Sequence, residues 1–123
     1  MTDLQAAWLA ATMDCEGCFA IAKELHKKSG ATNYRGRIFV GSTTEELLES
    51  CQFIAGGYIG RWRSKIKYKG KPTKTWVLTG DSLRKALTKI IPYLVVKREQ
   101  AEILMAFNRT ICVDRTRKNA PKN

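Results

Sequence analysis

Apolar positions follow helical spacing and then strand spacing along the first third of the chain. Small and apolar residues recur three or four positions apart over residues 3–13, which predicts an amphipathic helix. Thr2 and Gln5 form a capping box at its start. Residues 18–25 and 34–40 then alternate apolar and polar positions around a polar loop, which predicts two strands.

The same order of elements follows a second time. A second capping box opens a helix predicted over residues 43–55, and extended segments are predicted over residues 58–69 and 73–79. A third helix ends at Pro92, and a last helix begins at about Lys97. The chain is therefore predicted to be built as α-β-β-α-β-β-α-α.

This order defines the fold class that we expect. Two hairpins that each follow a helix predict an α+β fold, αββαββα(α), with one four-stranded antiparallel sheet. The helices would cover one face of the sheet, and the other face would form a saddle open to a ligand. We expect a domain over residues 1–112 and a basic, mobile C-terminal tail over residues 113–123.

The charge of the chain is both large and uneven. The chain has 123 residues, the size of one domain, and a net charge of +11. Residues 1–56 carry five basic and seven acidic side chains, whereas residues 57–123 carry 17 basic and four acidic ones. Because neutralising phosphates releases counterions, this distribution favours a polyanionic partner. We expect a nucleic acid as partner, with no membrane and no small-molecule cofactor.

Two other classes of protein do not fit the sequence. No apolar stretch approaches the roughly 20 residues of a membrane span, and the first residues lack the basic start and apolar run of a signal peptide. We therefore expect an intracellular protein, in the cytoplasm or an organelle. Cys15 and Cys18 have the spacing of half a zinc knuckle, but no second pair follows at a matching distance, so zinc is not expected.

A row of alternating cations occupies the third predicted strand. Every second residue from Arg61 to Lys71 is Arg or Lys, which in a strand places positive charges about 6–7 Å apart on one face. One or two lysines suffice to guard an edge strand against aggregation, so this row favours binding to phosphates. The candidate nucleic-acid-binding residues are Arg61, Arg63, Lys65, Lys67 and Lys69, joined by Lys23, Arg35, Arg37 and Lys74 on the other strands.

The first helix ends in an acidic pair. Residues 9–17 read Leu-Ala-Ala-Thr-Met-Asp-Cys-Glu-Gly, so a helix rich in small residues ends in Asp14 and Glu16. The C-terminal end of a helix disfavours negative charge by about 0.3–1 kcal/mol, so two acids there call for a compensating cation.

This nonapeptide and the order of elements resemble the LAGLIDADG homing endonucleases. Four of the nine motif letters are identical and Glu16 is a conservative acidic replacement, whereas Ala11 replaces the usual glycine. The identical residues are Leu9, Ala10, Asp14 and Gly17. Similarity continues through residues 57–59, 76–78 and 92–101, so the resemblance covers roughly residues 4–107.

The resemblance implies hydrolysis of DNA phosphodiester bonds with Mg²⁺, or with Mn²⁺. Glu16 and the backbone carbonyl of Cys15 would bind the metal, and Lys97 would act catalytically on the phosphoryl charge. Asp14 would have a structural role at the helix end first, and a catalytic metal contact second. The candidates for positioning the attacking water are Ser42, Thr43 and Thr44.

Family members with one motif per chain form homodimers in which the motif helices pack at a two-fold axis. Ala7, Ala10 and Ala11 are the predicted interface residues, because small side chains allow close approach. The resemblance thus implies a homing endonuclease, of the kind associated with introns, that cuts a long near-palindromic site. A non-catalytic DNA-binding regulator and an RNA maturase are the alternatives, and a heterodimer is also open.

One conflict concerns the parity of the third strand. Aligning Tyr58 with the family's DNA-facing position puts Gly60 and Trp62 on the DNA side, whereas the alternation puts Arg61 to Lys69 on one face. A bulge near Gly60 would reconcile the two. Without a bulge, one assignment is wrong.

Overall fold

The computed structural model describes residues 1–25, 28–61 and 73–118, with Arg61 and residues 110–118 described by backbone alone. The helices and strands follow one another in the predicted order. They are α1 (Asp3–Glu16), β1 (Gly17–Leu25), β2 (Thr32–Ser42), α2 (Glu45–Ala55), β3 (Tyr58–Arg61), β4 (Lys74–Thr79), α3 (Gly80–Ile90), a 3₁₀ turn (Ile91–Tyr93) and α4 (Arg98–Lys118). The predicted α+β class is confirmed.

The sheet is antiparallel throughout, with strand order β1-β2-β4-β3. Ile38 and Val40 of β2 pair with Leu78 and Trp76 of β4, and all four side chains are buried. Because side chains alternate along a strand, these residues define the face that the helices cover. The neighbouring positions define an opposite face, called the open face below.

The core lies between the helix-covered face and the four helices. α1 buries Leu9 and Met13, α3 buries Leu83 and Leu87, and α4 packs across β2, where Leu104 lies against Gly36. The core thus fixes α1 in the middle of the molecule, with its C-terminal end leading directly into β1.

The ends of α1 and α2 differ in how they are capped. The capping box predicted for α1 is present, because Gln5 N donates to Thr2 Oγ1 at 3.1 Å and Thr2 N donates to Gln5 Oε1 at 2.9 Å. The second predicted capping box is wrong: Thr44 precedes α2 and makes no side-chain cap. Instead, the Thr44 amide donates to Ser42 Oγ at 3.0 Å, which turns the chain from β2 into α2.

Two glycines end α2 and start β3. Gly56 and Gly57 have φ of 82° and 89°, a region that side chains with a Cβ rarely adopt. The Gly56 carbonyl accepts a hydrogen bond of 2.8 Å from Trp76 Nε1, and a Cβ on Gly57 would collide with the carbonyl oxygen of Val77. The tight turn therefore seats the end of α2 directly on β4.

The last helix runs to Lys118, past residue 112, where we placed the end of the domain. The mobile tail over residues 113–123 stays a prediction. Among the described residues, no helix combines the length and the apolar character that crossing a bilayer requires.

Candidate active site and nucleic-acid interface

Asp14 joins the end of α1 to the start of α4. Its carboxylate accepts backbone N–H bonds of 2.9 Å from Val95, 3.1 Å from Val96 and 2.9 Å from Lys97. Burial by itself raises the pKa of Asp14, but these three bonds and the charge of Lys97 outweigh it and hold the pKa below 3.8. Both oxygens are thus used within the chain, as a structural role requires.

Lys97 completes the same junction from the other side. Its Nζ donates to the carbonyl oxygen of Met13 at 3.1 Å and to that of Gly17 at 2.5 Å. The last carbonyls of a helix have no partner within the helix, and a cation there is favourable. Lys97 therefore places a positive charge at the end of α1, where it also acts on Asp14.

Glu16 is the last residue of α1, and its side chain is exposed. Among the described residues, it has no hydrogen-bond or ion-pair partner, in contrast to Asp14. Gly17 follows Glu16 at a position that leaves no room for a side chain, because a Cβ there would lie 2.8 Å from Met13 Cα. Glu16 therefore lies at the point where α1 passes directly into β1.

The oxygen atoms at Glu16 and Cys15 supply only some of the ligands that a hard cation such as Mg²⁺ needs. The Glu16 carboxylate and the Cys15 carbonyl are oxygen ligands of the kind that Mg²⁺ prefers. Within the described residues, no three His, Cys, Asp or Glu side chains come together as a metal site. One chain therefore offers part of a coordination shell, which phosphate oxygens and water would have to complete.

The open face carries two arginines on its central strand β2. Arg35 and Arg37 lie two residues apart and are both exposed. The Arg37 guanidinium carbon lies 5.4 Å from the centre of the Phe39 ring, two residues further on the same face. This cation–π contact restrains the long Arg37 side chain on the surface.

Two other predicted nucleic-acid contacts lie on the wrong face. Lys23 pairs with Tyr34 and Lys74 pairs with Ser42, positions that have the parity of the helix-covered face. Lys74 Nζ is also 2.5 Å from Glu45 Oε1 at the start of α2. The prediction that these two lysines extend the open face is therefore corrected, since strand alternation turns both away from it.

The parity conflict of the third strand is resolved over the part that is described. β3 pairs with β4 without interruption from Tyr58 to Arg61, so no bulge lies near Gly60. Tyr58 and Gly60 share a face with Val77 and Thr75, which is the open face. Arg61 pairs with Lys74 and has the parity of the helix-covered face, so the prediction that Arg61 lies on the open face is corrected. The predictions for Arg63, Lys65, Lys67 and Lys69 concern residues outside the described ranges.

The three candidates for positioning a water lie between β2 and α2. Ser42 has the parity of the helix-covered face, and its hydroxyl accepts the Thr44 amide. Thr43 and Thr44 are exposed. The structure thus gives Ser42 a turn-forming role and leaves the hydroxyls of Thr43 and Thr44 at the surface.

The predicted interface alanines are not equivalent. Ala10 is completely buried in the chain's own core, so it is corrected as an interface residue. Ala7 is half-buried and Ala11 is exposed. The exposed side of α1 consists of Leu4, Trp8, Ala11 and Cys15, which recur at helical spacing and are called the α1 stripe below.

Several open-face residues were missed from the sequence. Thr75, Val77 and Thr79 of β4 share the open face with Asn33 of β2 and Glu24 of β1. A signal was present, since Trp76 and Leu78 are large apolar residues at alternate positions, which marks their neighbours as facing the other way.

Comparison with known proteins finds a relative of this chain. The chain is 30% identical over 106 residues to the DNA endonuclease I-CvuI of Chlorella vulgaris, which covers 83% of this chain and 62% of I-CvuI. The chain thus spans less than two thirds of that relative. No family model matches the chain.

Solved structures show the same fold. I-CvuI bound to the I-CreI target in the presence of Mg is similar with a TM-score of 0.71 and 26% identity, over 86% of this chain and 66% of that one. The archaeal intron-encoded endonuclease I-Vdi141I with DNA is similar in fold, with a TM-score of 0.69 and 18% identity over 89% and 70% of the two chains. The LAGLIDADG endonuclease I-LtrWI bound to target DNA is similar in fold, with a TM-score of 0.64 and 17% identity. The similarity covers 92% of this chain and 39% of that one.

The sheet with one open face and the helix that ends in Asp14 and Glu16 are therefore those of the homing-endonuclease class. The match to I-CvuI covers 83% of the chain and therefore extends through both of its halves. The similarity in sequence to I-CvuI and in fold to LAGLIDADG endonucleases supports membership of the LAGLIDADG homing endonuclease family.

Proposed function

We propose that this protein is a site-specific, metal-dependent endonuclease that cuts both strands of a long, near-palindromic DNA site as a homodimer. The observation that carries the proposal is the exposed, unpartnered carboxylate of Glu16 at the end of α1. The relative I-CvuI is named a DNA endonuclease, and its structures contain target DNA with Mg or Ca. Site-specific cleavage by this chain is inferred from these two lines.

Glu16 would hold Mg²⁺ together with the Cys15 carbonyl and the phosphate at the cleavage point. When bound, the metal supplies an activated water and stabilises charge on the leaving oxygen. Asp14 is not needed for this shell, because both of its oxygens hold the start of α4. We therefore propose Glu16 as the metal-binding carboxylate and Asp14 as a positioning residue.

Lys97 would contribute positive charge beside this shell. Its Nζ is held by the Met13 and Gly17 carbonyls, which bracket Glu16 in the sequence. A fixed cation near a phosphate stabilises the negative charge that develops in phosphoryl transfer, and it does so without reorganising. Thr43 and Thr44, exposed at the end of β2, are the remaining candidates for orienting a water.

The open face would bind the DNA. Arg35 and Arg37 offer guanidinium groups from β2, Thr75 offers a hydroxyl from the neighbouring strand β4, and Tyr58 offers one from β3 at the edge of the sheet. Side chains on such a ribbon can reach base edges in the major groove and phosphates beside it. The cations at Arg63, Lys65, Lys67 and Lys69 are proposed to add contacts to phosphates.

Two copies would be needed to cut two strands. One chain has one Glu16, so a second copy related by a two-fold axis supplies the second carboxylate for the opposite strand. The exposed Ala11 and Cys15 sit on the same side of α1 as it approaches Glu16. Their small side chains would allow the ends of two α1 helices to come close together, and a near-palindromic site would follow from this symmetry.

The test is cleavage of a randomised duplex library with Mg²⁺, followed by sequencing of the cut ends. Glu16→Gln should abolish cleavage while DNA affinity and thermal stability stay close to wild type, because the side chain has no described partner to lose. Glu99→Gln, an exposed acid in the first turn of α4, is the matched control and should cleave normally. A wild-type protein that binds DNA but cuts no library member would contradict the enzyme and favour a DNA-binding regulator.

A further inference from the structure

The α1 stripe is too narrow to hold two copies together alone. α1 has 14 residues and is about 21 Å long, so a stripe about 10 Å wide would bury roughly 200 Å² on each copy. A standard stable interface buries about 800 Å² on each partner. The dimer of the proposed function therefore needs contacts outside α1.

An exposed apolar group lies on one flank of the stripe. α1 and α2 enclose a groove of about 530 Å³, and Phe53 at its rim is 84% exposed. Leu4 and Trp8 of the stripe line the same groove. The groove is thus continuous with the stripe, and Phe53 extends its apolar surface onto α2.

A second exposed apolar group lies at the opposite flank. Val95 and Val96 are 83% and 71% exposed, in the turn before α4 whose amides bind Asp14. Gln5 lines the α2 groove, and it lies nine positions before Asp14 on α1. Nine residues at about 100° each make two full turns and a half turn. Gln5 and Asp14 therefore point to opposite sides of the helix, and so α2 and the 95–96 turn lie on opposite sides of it.

A two-fold axis turns these two flanks toward each other. When two copies face each other across a two-fold axis that runs roughly along α1, each flank of one copy meets the opposite flank of its partner. The α2 flank of each copy then lies opposite the partner's 95–96 turn. The contact occurs twice in each dimer, and in both places an apolar group meets an apolar group.

We propose that Phe53 on α2 and the valines of the 95–96 turn are the second half of the self-association surface, with Phe53 of each copy packing against that turn of the other. This inference rests on the homodimer of the proposed function. It assigns a role to a groove and to two exposed valine side chains that DNA binding and cleavage leave unused. The occupant is a second copy, because the two flanks complement each other only through a two-fold axis.

The test is sedimentation of the full chain without DNA, over a range of concentrations. Phe53→Lys and Val95→Glu should each raise the dimer dissociation constant, by about 10-fold to 100-fold or more, since each change places a charge in two apolar contacts. Combining both changes in one chain should recover much of the affinity, because the introduced lysine would face the introduced glutamate of the other copy. Leu25→Lys is the control: Leu25 is 66% exposed but lies at the far end of β1, so the constant should not change.

The outcomes separate this contact from the dimer itself. A wild-type chain that sediments as a monomer at all concentrations, both free and on DNA, would overturn the homodimer and this inference together. A wild-type dimer that Phe53→Lys and Val95→Glu leave unchanged would overturn only this contact. Weakening by both single changes without recovery in the combined variant would overturn the direct pairing of Phe53 with the turn.

Discussion

Asp14, near the end of α1, binds the backbone at the start of α4, and Lys97, the residue before α4, binds the backbone at the end of α1. The Asp14 carboxylate on α1 accepts the backbone amide of Lys97 and of the two residues before it, at the start of α4. The Lys97 ammonium donates to the carbonyls of Met13 and Gly17, at the end of α1. Residues more than 80 positions apart thus form one junction beside Glu16.

The first prediction concerns the stability of this junction. Asp14→Asn should lower the free energy of unfolding by about 1–3 kcal/mol, since one of the two oxygen acceptors becomes a donor facing backbone amides. Chemical denaturation followed by tryptophan fluorescence measures this loss. Glu16→Gln is the control and should unfold like the wild type. Equal stability of the Asp14 and Glu16 variants would contradict the structural role of Asp14.

The second prediction concerns acid pH. The pKa of Asp14 in the folded chain lies below its ordinary value of 3.8, so folding favours the charged form. The stabilisation from this group is complete above about pH 4 and is lost as the pH falls through the lowered pKa of the folded state. Thermal unfolding between pH 6 and pH 2.5 should therefore show a smaller acid loss in Asp14→Asn than in the wild type. Parallel curves for the two proteins would contradict the lowered pKa.

The third prediction uses three cysteines as reporters. Burial raises the pKa of Cys51 to about 11, so at pH 8 only about one thiol in a thousand is ionised, and iodoacetamide should label it slowly. Cys15 and Cys18 are exposed and should label faster. Cys15 lies on the α1 stripe and Cys18 pairs with Phe39 on the open face, so self-association should protect the first and DNA the second. Peptide mass spectrometry measures each rate. DNA that leaves Cys18 unprotected, or self-association that leaves Cys15 unprotected, would contradict the proposed surfaces.

The fourth prediction separates the two faces of the sheet. Arg37→Ala should weaken binding to duplex DNA by about tenfold and reduce the salt slope by about one, because an exposed cation is removed from the open face. Lys23→Ala removes the same charge from the other face and should change the affinity less than twofold. Fluorescence anisotropy at several salt concentrations measures both. Equal losses for the two variants would mean that overall charge, and not the open face, determines binding.

The fifth prediction tests the turn between α2 and β3. Gly56→Ala and Gly57→Ala both force a side chain into a left-handed backbone, at a cost of about 1 kcal/mol. Only Gly57→Ala also drives a Cβ into the Val77 carbonyl, whereas nothing lies within 4 Å of a Cβ on Gly56. Gly57→Ala should therefore be the more destabilising, by about 1–3 kcal/mol, in thermal unfolding. A smaller loss for Gly57→Ala than for Gly56→Ala would contradict this turn.

The order of elements could be predicted because local patterns determine it. The capping box at Thr2, the alternation in β2 and Pro92 after α3 are each properties of a few neighbouring residues. The acidic end of α1 was recognised in the same way, from one nonapeptide. The cation that compensates it was expected from electrostatics, and Lys97 supplies it.

What failed depends on contacts between distant segments. Lys23 and Lys74 were grouped with Arg35 and Arg37 by charge, but the register between strands decides which face each one occupies. Ala10 was grouped with Ala11 by size, although the position of α1 in the core buries only Ala10. Charge and size are visible in a sequence, whereas the side of an element that meets the core is set by tertiary packing.

The direct passage from α1 into β1 has a consequence for changing the specificity of such a protein. Glu16 ends the helix and Gly17 begins the strand, with no loop to absorb a shift between them. A substitution that tilts β1 to suit a different base sequence would carry the carboxylate with it. Under the proposed function, recognition and chemistry are mechanically linked at this junction, so redesign is safer on β4, which does not pair with β1.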